Sequence, residues 1–338
     1  MVKTLIISRT DSIGDVVLTL PVAGVMKSLY PDIRIFFIGR TYTGPIIETC
    51  EHIDRFINWD EISAKSEKEQ IDFFKSLQAD TIVHVFPNAQ IARIAWKSSI
   101  PLRIGTSHRL RHWYFCNKLI NFSRKKSSLH EAQLNLKLFS PLGVKKTYLP
   151  EELSTYYGLS RVIPLDDNNV SLLDRSRFNL ILHPKSKGSA REWGLENFGK
   201  LIELLPPRQY KIFISGTLDD RKNMLSFLDK YKDKVTDITG KLSLPQFISF
   251  INQADGLVAA STGPLHIAAA LGKTAIGLYA PMRPIHPGRW MPIGIKSSFL
   301  VQDKECNDCR NSNRCECIES LRPEKIIAIL ENTEAKPC

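Results

Sequence analysis

Residues 256–279 read GLVAASTGPLHIAAALGKTAIGLY, and the spacing of polar residues in this run decides the fold. Gly256 to Ala260 is an apolar stretch of buried-strand length. Ser261-Thr262-Gly263-Pro264 interrupts it, and Leu265 to Leu271 continues as a helix containing His266. Proline in a first helical turn sacrifices no bond, because the missing N–H would have no partner there. After Gly272, Thr274 to Tyr279 is a second apolar strand. The turn between strand and helix leaves N–H groups and the positive end of a helix dipole pointing outward, which suits a phosphate.

The same alternation extends in both directions. Apolar strands are predicted at 4–8, 34–38, 55–58, 81–86, 179–183, 210–215 and 235–238. Helical spacing occupies 16–29, 43–49, 67–77, 88–96, 130–142, 195–205, 219–230 and 244–252, with Pro21 imposing a kink or restart near Leu20. Strands alternating with helices argue for parallel βαβ units, hence an α/β fold. A length of 338 residues accommodates two such domains, with 145–174, rich in turn residues, as the linker region.

Hydrophobic and charged fractions of 43% and 24% are ordinary for a globular protein. No apolar run reaches the length of a membrane span, and Met1-Val2-Lys3-Thr4 runs directly into a strand without a signal-peptide pattern, so a cytoplasmic protein is expected. The net charge of +11 points to a polyanionic partner: nucleic acid, an anionic membrane face, or a phosphorylated or carboxylated substrate. From Lys97 to Lys126 there is no Asp or Glu, while Arg103, Arg109, Arg111, Lys118 and Arg124 stand among Trp113, Tyr114 and Phe115. A solvated, poorly ordered loop would account for that composition equally well.

Three segments could carry chemistry. Asp11 and Asp15 lie in the loop after the first strand, at the edge where parallel sheets bind ligands; either could instead serve as a helix-capping acid. That loop lacks both the dinucleotide G-x-G-x-x-G and the P-loop Gly-Lys-Ser/Thr. His183 to Trp193 leaves another strand carrying Lys185, Ser186, Lys187 and Arg191, a donor set suited to a diphosphate. The third is the turn at 261–266. Cys306, Cys309, Cys315 and Cys317 crowd into twelve residues and admit a structural zinc site, reduced thiols or labile disulfides.

The first loop (Arg9, Asp11, Ile13-Gly14-Asp15, Pro21), the 183–193 segment and Ser261 to Ala270 together resemble the bacterial ADP-heptose:lipopolysaccharide heptosyltransferases of glycosyltransferase family 9. The resemblance runs from Thr4 to about Gly288 and implies the GT-B fold, two Rossmann-like domains facing across a cleft. It implies an acceptor domain at 1–165, a nucleotide-sugar domain at 175–320, and a tail at 321–338 whose helix, near 325–331, crosses back to the first domain. Asp15 matches the family's catalytic base. Thr262, Gly263 and His266 match residues near the donor diphosphate, with Lys185, Ser186, Ser261 and Arg191 beside them, Arg191 standing where family members often have Lys. Asp219 or, preferably, Asp220 is the candidate for the ribose. Asp11, Arg103, Arg109 and Arg111 are the candidates for an anionic acceptor.

The function so implied is inverting transfer of heptose from ADP-heptose to a lipopolysaccharide inner-core or other lipid-linked acceptor, with no cofactor required and peripheral contact with the anionic inner face of the inner membrane. Several family members have an acid immediately before the Thr-Gly pair where this chain has Ser261, which leaves another nucleotide sugar as an alternative donor. The cysteine cluster reads as a lid or stapled loop. A nucleic-acid-binding protein using the 97–126 stretch is the reading from a different class, although no binding module accompanies it and no nucleic-acid partner is expected.

Overall fold

The computed structural model describes residues 2–124, 126–304, 306 and 314–334. Two compact units divide the chain, residues 1–161 and 162–338. Each unit contains one six-stranded, wholly parallel sheet.

The N-terminal sheet comprises β1 (Thr4–Ser8), β2 (Arg34–Gly39), β3 (Arg55–Asn58), β4 (Thr81–His84), β5 (Leu102–Thr106) and β6 (Lys118–Ile120). Their spatial order is β3-β2-β1-β4-β5-β6. The C-terminal sheet comprises β7 (Phe178–His183), β8 (Tyr210–Ile214), β9 (Val235–Asp237), β10 (Gly256–Ala260), β11 (Thr274–Tyr279) and β12 (Ser297–Val301), ordered β12-β11-β10-β7-β8-β9. Counted within each unit, both sheets have the doubly wound order 3-2-1-4-5-6. In such a sheet the chain reverses direction of winding between its first and fourth strands, and a crevice opens there at the carboxyl ends. The reversal falls between β1 and β4 in one unit and between β7 and β10 in the other.

The central strands are buried on both faces, as continuous apolar runs in a parallel sheet must be: Leu5, Ile6 and Ile7 are inaccessible to solvent, as are Leu257, Val258 and Ala259. The expected helix at 16–29 is two helices, Ile13–Val17 and Leu20–Leu29, with Pro21 in the first turn of the second. The region 97–126 corrects the expectation of a loop. It forms β5, β6 and a short helix, Leu110–Phe115, between them. These strands are short and only partly buried, so they lack the apolar run that marks a central strand.

The linker region is also more structured than its composition suggests. Glu51 donates its N–H to the Gly158 carbonyl, and Gly24 lies so close to Tyr156 that an added Cβ would sit 2.3 Å from its carbonyl oxygen. The chain therefore belongs to the first unit through 161, and 162–174 joins the second.

In the C-terminal unit, Trp193 is fully buried, meets Phe198 edge-on with ring centroids 4.9 Å apart, and donates its indole N–H to the Leu321 carbonyl at 2.9 Å. Helix Pro323–Glu334 places Ile326 and Leu330 in this same core. Through these two residues the helix packs on the C-terminal unit. Trp193→Ala removes both the ring and its hydrogen bond, and is expected to cost about 3–5 kcal/mol of stability, read as a lowered denaturant midpoint for this unit.

Candidate active site

Arg9 immediately follows β1 and is buried, with 3% of its surface exposed. It grips Asp11 with two parallel bonds, Nε to Oδ1 at 2.7 Å and Nη2 to Oδ2 at 2.9 Å. The same Nη2 also donates to Asp15 Oδ1, while Nη1 reaches Glu131 at 3.2 Å and Asn135 at 2.9 Å. Arg124 approaches the far side, donating to Glu131 and, at 3.0 Å, to Asn135. Burial opposes the charge on Arg9, but Asp11, Asp15 and Glu131 outweigh it and hold the guanidinium firmly ionised. Burial also raises the Asp11 carboxyl above its ordinary range, against the pull of Arg9.

Asp15 lies in the first turn of helix Ile13–Val17. One carboxylate oxygen takes Arg9 and the other accepts from Ser12 Oγ at 2.6 Å, while the side chain stays 18% exposed. Such an acid is fixed in direction yet open to solvent on one side. Tyr42 closes the neighbouring side by donating its hydroxyl to the Asp11 carbonyl at 2.6 Å.

Glu131 and Asn135 were not evident as site residues from sequence. They lie one turn apart on helix Glu131–Lys137, both buried, where apolar side chains would ordinarily pack. A buried acid and amide at i, i+4 beside Leu134 and Leu136 is the signal that could have exposed them. A second set beside the same crevice also escaped notice. Ser8 Oγ, both His84 ring nitrogens and His112 Nε2 are buried without hydrogen-bond partners among the described residues. Burial, helped by His112 and Arg103, pushes His84 down to about 3, so it is neutral at physiological pH.

The expected acceptor residues divide. Arg103 is turned inward, donating Nε to the Phe115 carbonyl at 2.8 Å and Nη1 to that of Ile100. It braces the helix at 110–115. Arg109 and Arg111 are exposed at that helix.

In the C-terminal unit, the 183–193 and 261–266 loops leave β7 and β10, adjacent strands with Ala259 beside His183. Glu192 organises the first loop: it accepts from Lys185 Nζ at 2.9 Å and from the Ser186 N–H at 3.0 Å. The tip turns through Lys187 and Gly188, both at positive φ, and Ser186 Oγ donates to the Ala190 carbonyl at 2.8 Å. Arg191 is partly buried beside it. His183 is held by Ser215 at 2.9 Å, and burial pushes it down to about 4.

The second loop caps helix Gly263–Ala270 with Thr262 in extended conformation. Its Oγ1 makes no capping bond and, although buried, has no hydrogen-bond partner among the described residues. A buried hydroxyl at a helix N-terminus is a donor that a ligand can satisfy. His266 is 2% exposed one turn further on, and Ser261 is partly open to solvent beside Tyr279.

Asp220 is mostly buried and capped locally, its Oδ2 accepting from the Thr217 N–H at 2.8 Å and hydroxyl at 2.7 Å. That capping box accounts for the residue chosen for the ribose. Asp219 is exposed and paired with Lys222 at 3.0 Å. Cys315 and Cys317 are core residues beside Trp193 and Ile318, not a surface lid, and Cys306 packs against the same cluster. Cys309 lies outside the described residues. Among the described residues, no three His, Cys, Asp or Glu side chains are grouped to hold a metal ion.

Comparison with known proteins agrees with this architecture. The profile of glycosyltransferase family 9 (heptosyltransferase) matches residues 71–318. The lipopolysaccharide core heptosyltransferase OpsX of Haemophilus influenzae is 25% identical over 298 residues, covering 84% of this chain and 80% of that protein. A family 9 glycosyl transferase of Veillonella parvula aligns with a TM-score of 0.79 at 18% identity, covering 98% of this chain and 96% of that one. The Escherichia coli heptosyltransferase WaaC, in a structure with ADP, aligns with a TM-score of 0.72 at 15% identity, covering 97% of this chain and 99% of that one. With its two doubly wound sheets and strand-exit loops, the chain belongs to glycosyltransferase family 9, the heptosyltransferase family, and is a transferase of GT-B fold.

Proposed function

We propose that this enzyme transfers heptose from ADP-heptose to an anionic lipopolysaccharide inner-core acceptor with inversion, and that Asp15 is the general base. The observation that carries the reading is the fixing of Asp15 at the carboxyl edge of β1 by Arg9 and Ser12, with its carboxylate still reachable from solvent. In the reaction, Asp15 takes the proton of the acceptor hydroxyl as that oxygen bonds to the anomeric carbon. The bond from that carbon to the β-phosphate oxygen breaks, and its electron pair leaves with ADP. One displacement needs one base and a stabilised leaving group.

The leaving group is served by the C-terminal unit. Thr262 Oγ1, the N–H groups opening helix Gly263–Ala270, His266, Lys185, Ser186 and Arg191 supply donors and positive charge around the two strand exits. These fixed donors meet the charge that develops on the diphosphate, so the proposed chemistry calls for no cofactor. The solved WaaC with ADP supports an adenosine diphosphate donor by likeness of family. The acceptor is read as membrane-borne, which places the enzyme at the anionic inner face of the inner membrane.

Ser261 favours a second reading of the donor sugar alone. A hydroxyl in place of the acid found there in several relatives removes a charged contact to the sugar, so another nucleotide sugar is the alternative. Turnover compared across ADP-heptose and other ADP-, GDP- and UDP-sugars decides between them, and absence of turnover with ADP-heptose alone would select the alternative.

Asp15→Ala is expected to retain ADP affinity by calorimetry while ADP release in the presence of acceptor falls about 10²–10⁴-fold. Near-normal turnover in that variant excludes Asp15 as the base. Arg191→Ala is expected to weaken ADP binding roughly tenfold or more, the value of one charge-assisted hydrogen bond, and unchanged affinity would remove Arg191 from the diphosphate site.

A further inference from the structure

Helix Leu110–Phe115 presents an uncommon surface. Leu110, Trp113 and Tyr114 occupy one face at i, i+3 and i+4, and are 73%, 62% and 71% exposed. The opposite face is anchored: His112 is buried, its Nδ1 accepting from the Thr106 N–H at 3.0 Å, and Phe115 meets Trp96 with ring centroids 5.8 Å apart. The Trp113 indole N–H is already satisfied by the Ser107 carbonyl at 2.8 Å. Its ring is therefore held outward with the polar edge turned to protein and an apolar body turned to water. His108, Arg109, Arg111 and Lys118 are exposed around it.

We propose that this helix is the membrane-docking element of the enzyme, inserting Leu110, Trp113 and Tyr114 at the headgroup boundary of an anionic bilayer while Arg109, Arg111 and Lys118 hold the lipid phosphates. Three observations favour lipid over a protein partner. Aromatic rings with one polar end are stabilised at that boundary, and adjacent cations add about 1 kcal/mol each at an anionic surface. Pairing with a second copy about a two-fold axis would bring the same arginines face to face. The two aromatic side chains together offer at most roughly 300–500 Å², below the ~800 Å² per partner of a stable protein interface.

Topology gives the placement a purpose. The helix follows β5 and the Asp15 loop follows β1, and β1, β4 and β5 are consecutive parallel neighbours. Both segments thus leave the same edge of one sheet, their strands about 10 Å apart at a spacing of ~4.8 Å. A bilayer held at 110–114 meets the edge that carries the base. This purpose rests on the reading of the acceptor as membrane-borne; the binding itself does not.

The test is co-sedimentation of the purified full chain with vesicles of phosphatidylcholine containing phosphatidylglycerol, without donor or acceptor. The wild type is expected to bind these vesicles and to bind phosphatidylcholine alone more weakly. Trp113→Ser/Tyr114→Ser is expected to bind about tenfold or more weakly, with the circular dichroism spectrum retained and the melting temperature little changed, because both side chains are mostly exposed and only the Trp113 bond to Ser107 is lost. Binding is expected to weaken but persist in high salt, since only the ionic part is screened. Brominated lipid is expected to quench wild-type fluorescence, and less so that of Trp113→Phe. Full binding by the double variant, loss of all binding in high salt, or a dimer in size-exclusion chromatography that the double variant abolishes would each overturn the proposal. Failure of vesicle binding leaves the transferase reading standing, whereas absent turnover with intact vesicle binding strikes that reading alone.

Discussion

A single buried guanidinium governs the N-terminal site. Arg9 stands among Asp11, Asp15 and Glu131, and Arg124 contributes the second positive charge. Three carboxylates against two guanidiniums leave a formal surplus of one negative charge. Isolated burial of any one of these groups would be costly, and together each compensates the others. Asn135 ties the cluster to the helical turn at Leu18 and Thr19 through its amide nitrogen, at 3.1 Å to each. The direction of Asp15 is therefore set by a network that spans β1, helix Ile13–Val17 and helix Glu131–Lys137. Preorganisation of this kind is what a base needs, since a carboxylate free to rotate would spend part of its effect on being aligned.

The repeated sheet order explains why candidate residues from distant stretches converge within each unit. In the first, Arg9 and Asp15 follow the first strand while His84 ends the fourth. In the second, the 183–193 loop follows the first strand and 261–266 the fourth. Residues about eighty positions apart become neighbours because winding reverses between those strands and no crossover helix covers the gap. The glycine-rich fingerprint common at such crevices is replaced here by a charged hub in one unit and by a hydroxyl-capped helix in the other.

Much of this was legible in the sequence. Apolar runs flanked by turn residues marked nine of the strands: seven largely buried ones, as parallel central strands bury both faces, and β3 and β9 at the sheet edges. The three that escaped, β5, β6 and β12, lie toward the sheet edges and are only partly buried, so hydrophobicity does not outline them. Site residues followed the same division. Asp15, Thr262 and Arg191 sit in short polar loops between apolar strands and stand out by contrast. Glu131 and Asn135 lie inside an otherwise ordinary helix, and only the three-dimensional approach of Arg9 gives them meaning. Asp220, an acid just past a strand and the candidate for the ribose, also has a local task, since one of its carboxylate oxygens closes a capping box.

Net charge was the least transferable reading. The basic run at 97–126 looked uniform, yet its members do different things. Lys97 pairs with Glu67, Arg103 holds two backbone carbonyls, and Arg124 neutralises Glu131. Those cations stabilise the unit and contribute little to a partner. The charge that remains outward is concentrated around Leu110, Trp113 and Tyr114, where apolar side chains are held away from the core by a satisfied indole and an anchored opposite face. Attachment by charge alone would need only lysines and arginines on a solvated loop. The chain instead folds this stretch between two strands and orients its aromatic face, which is a structure suited to insertion.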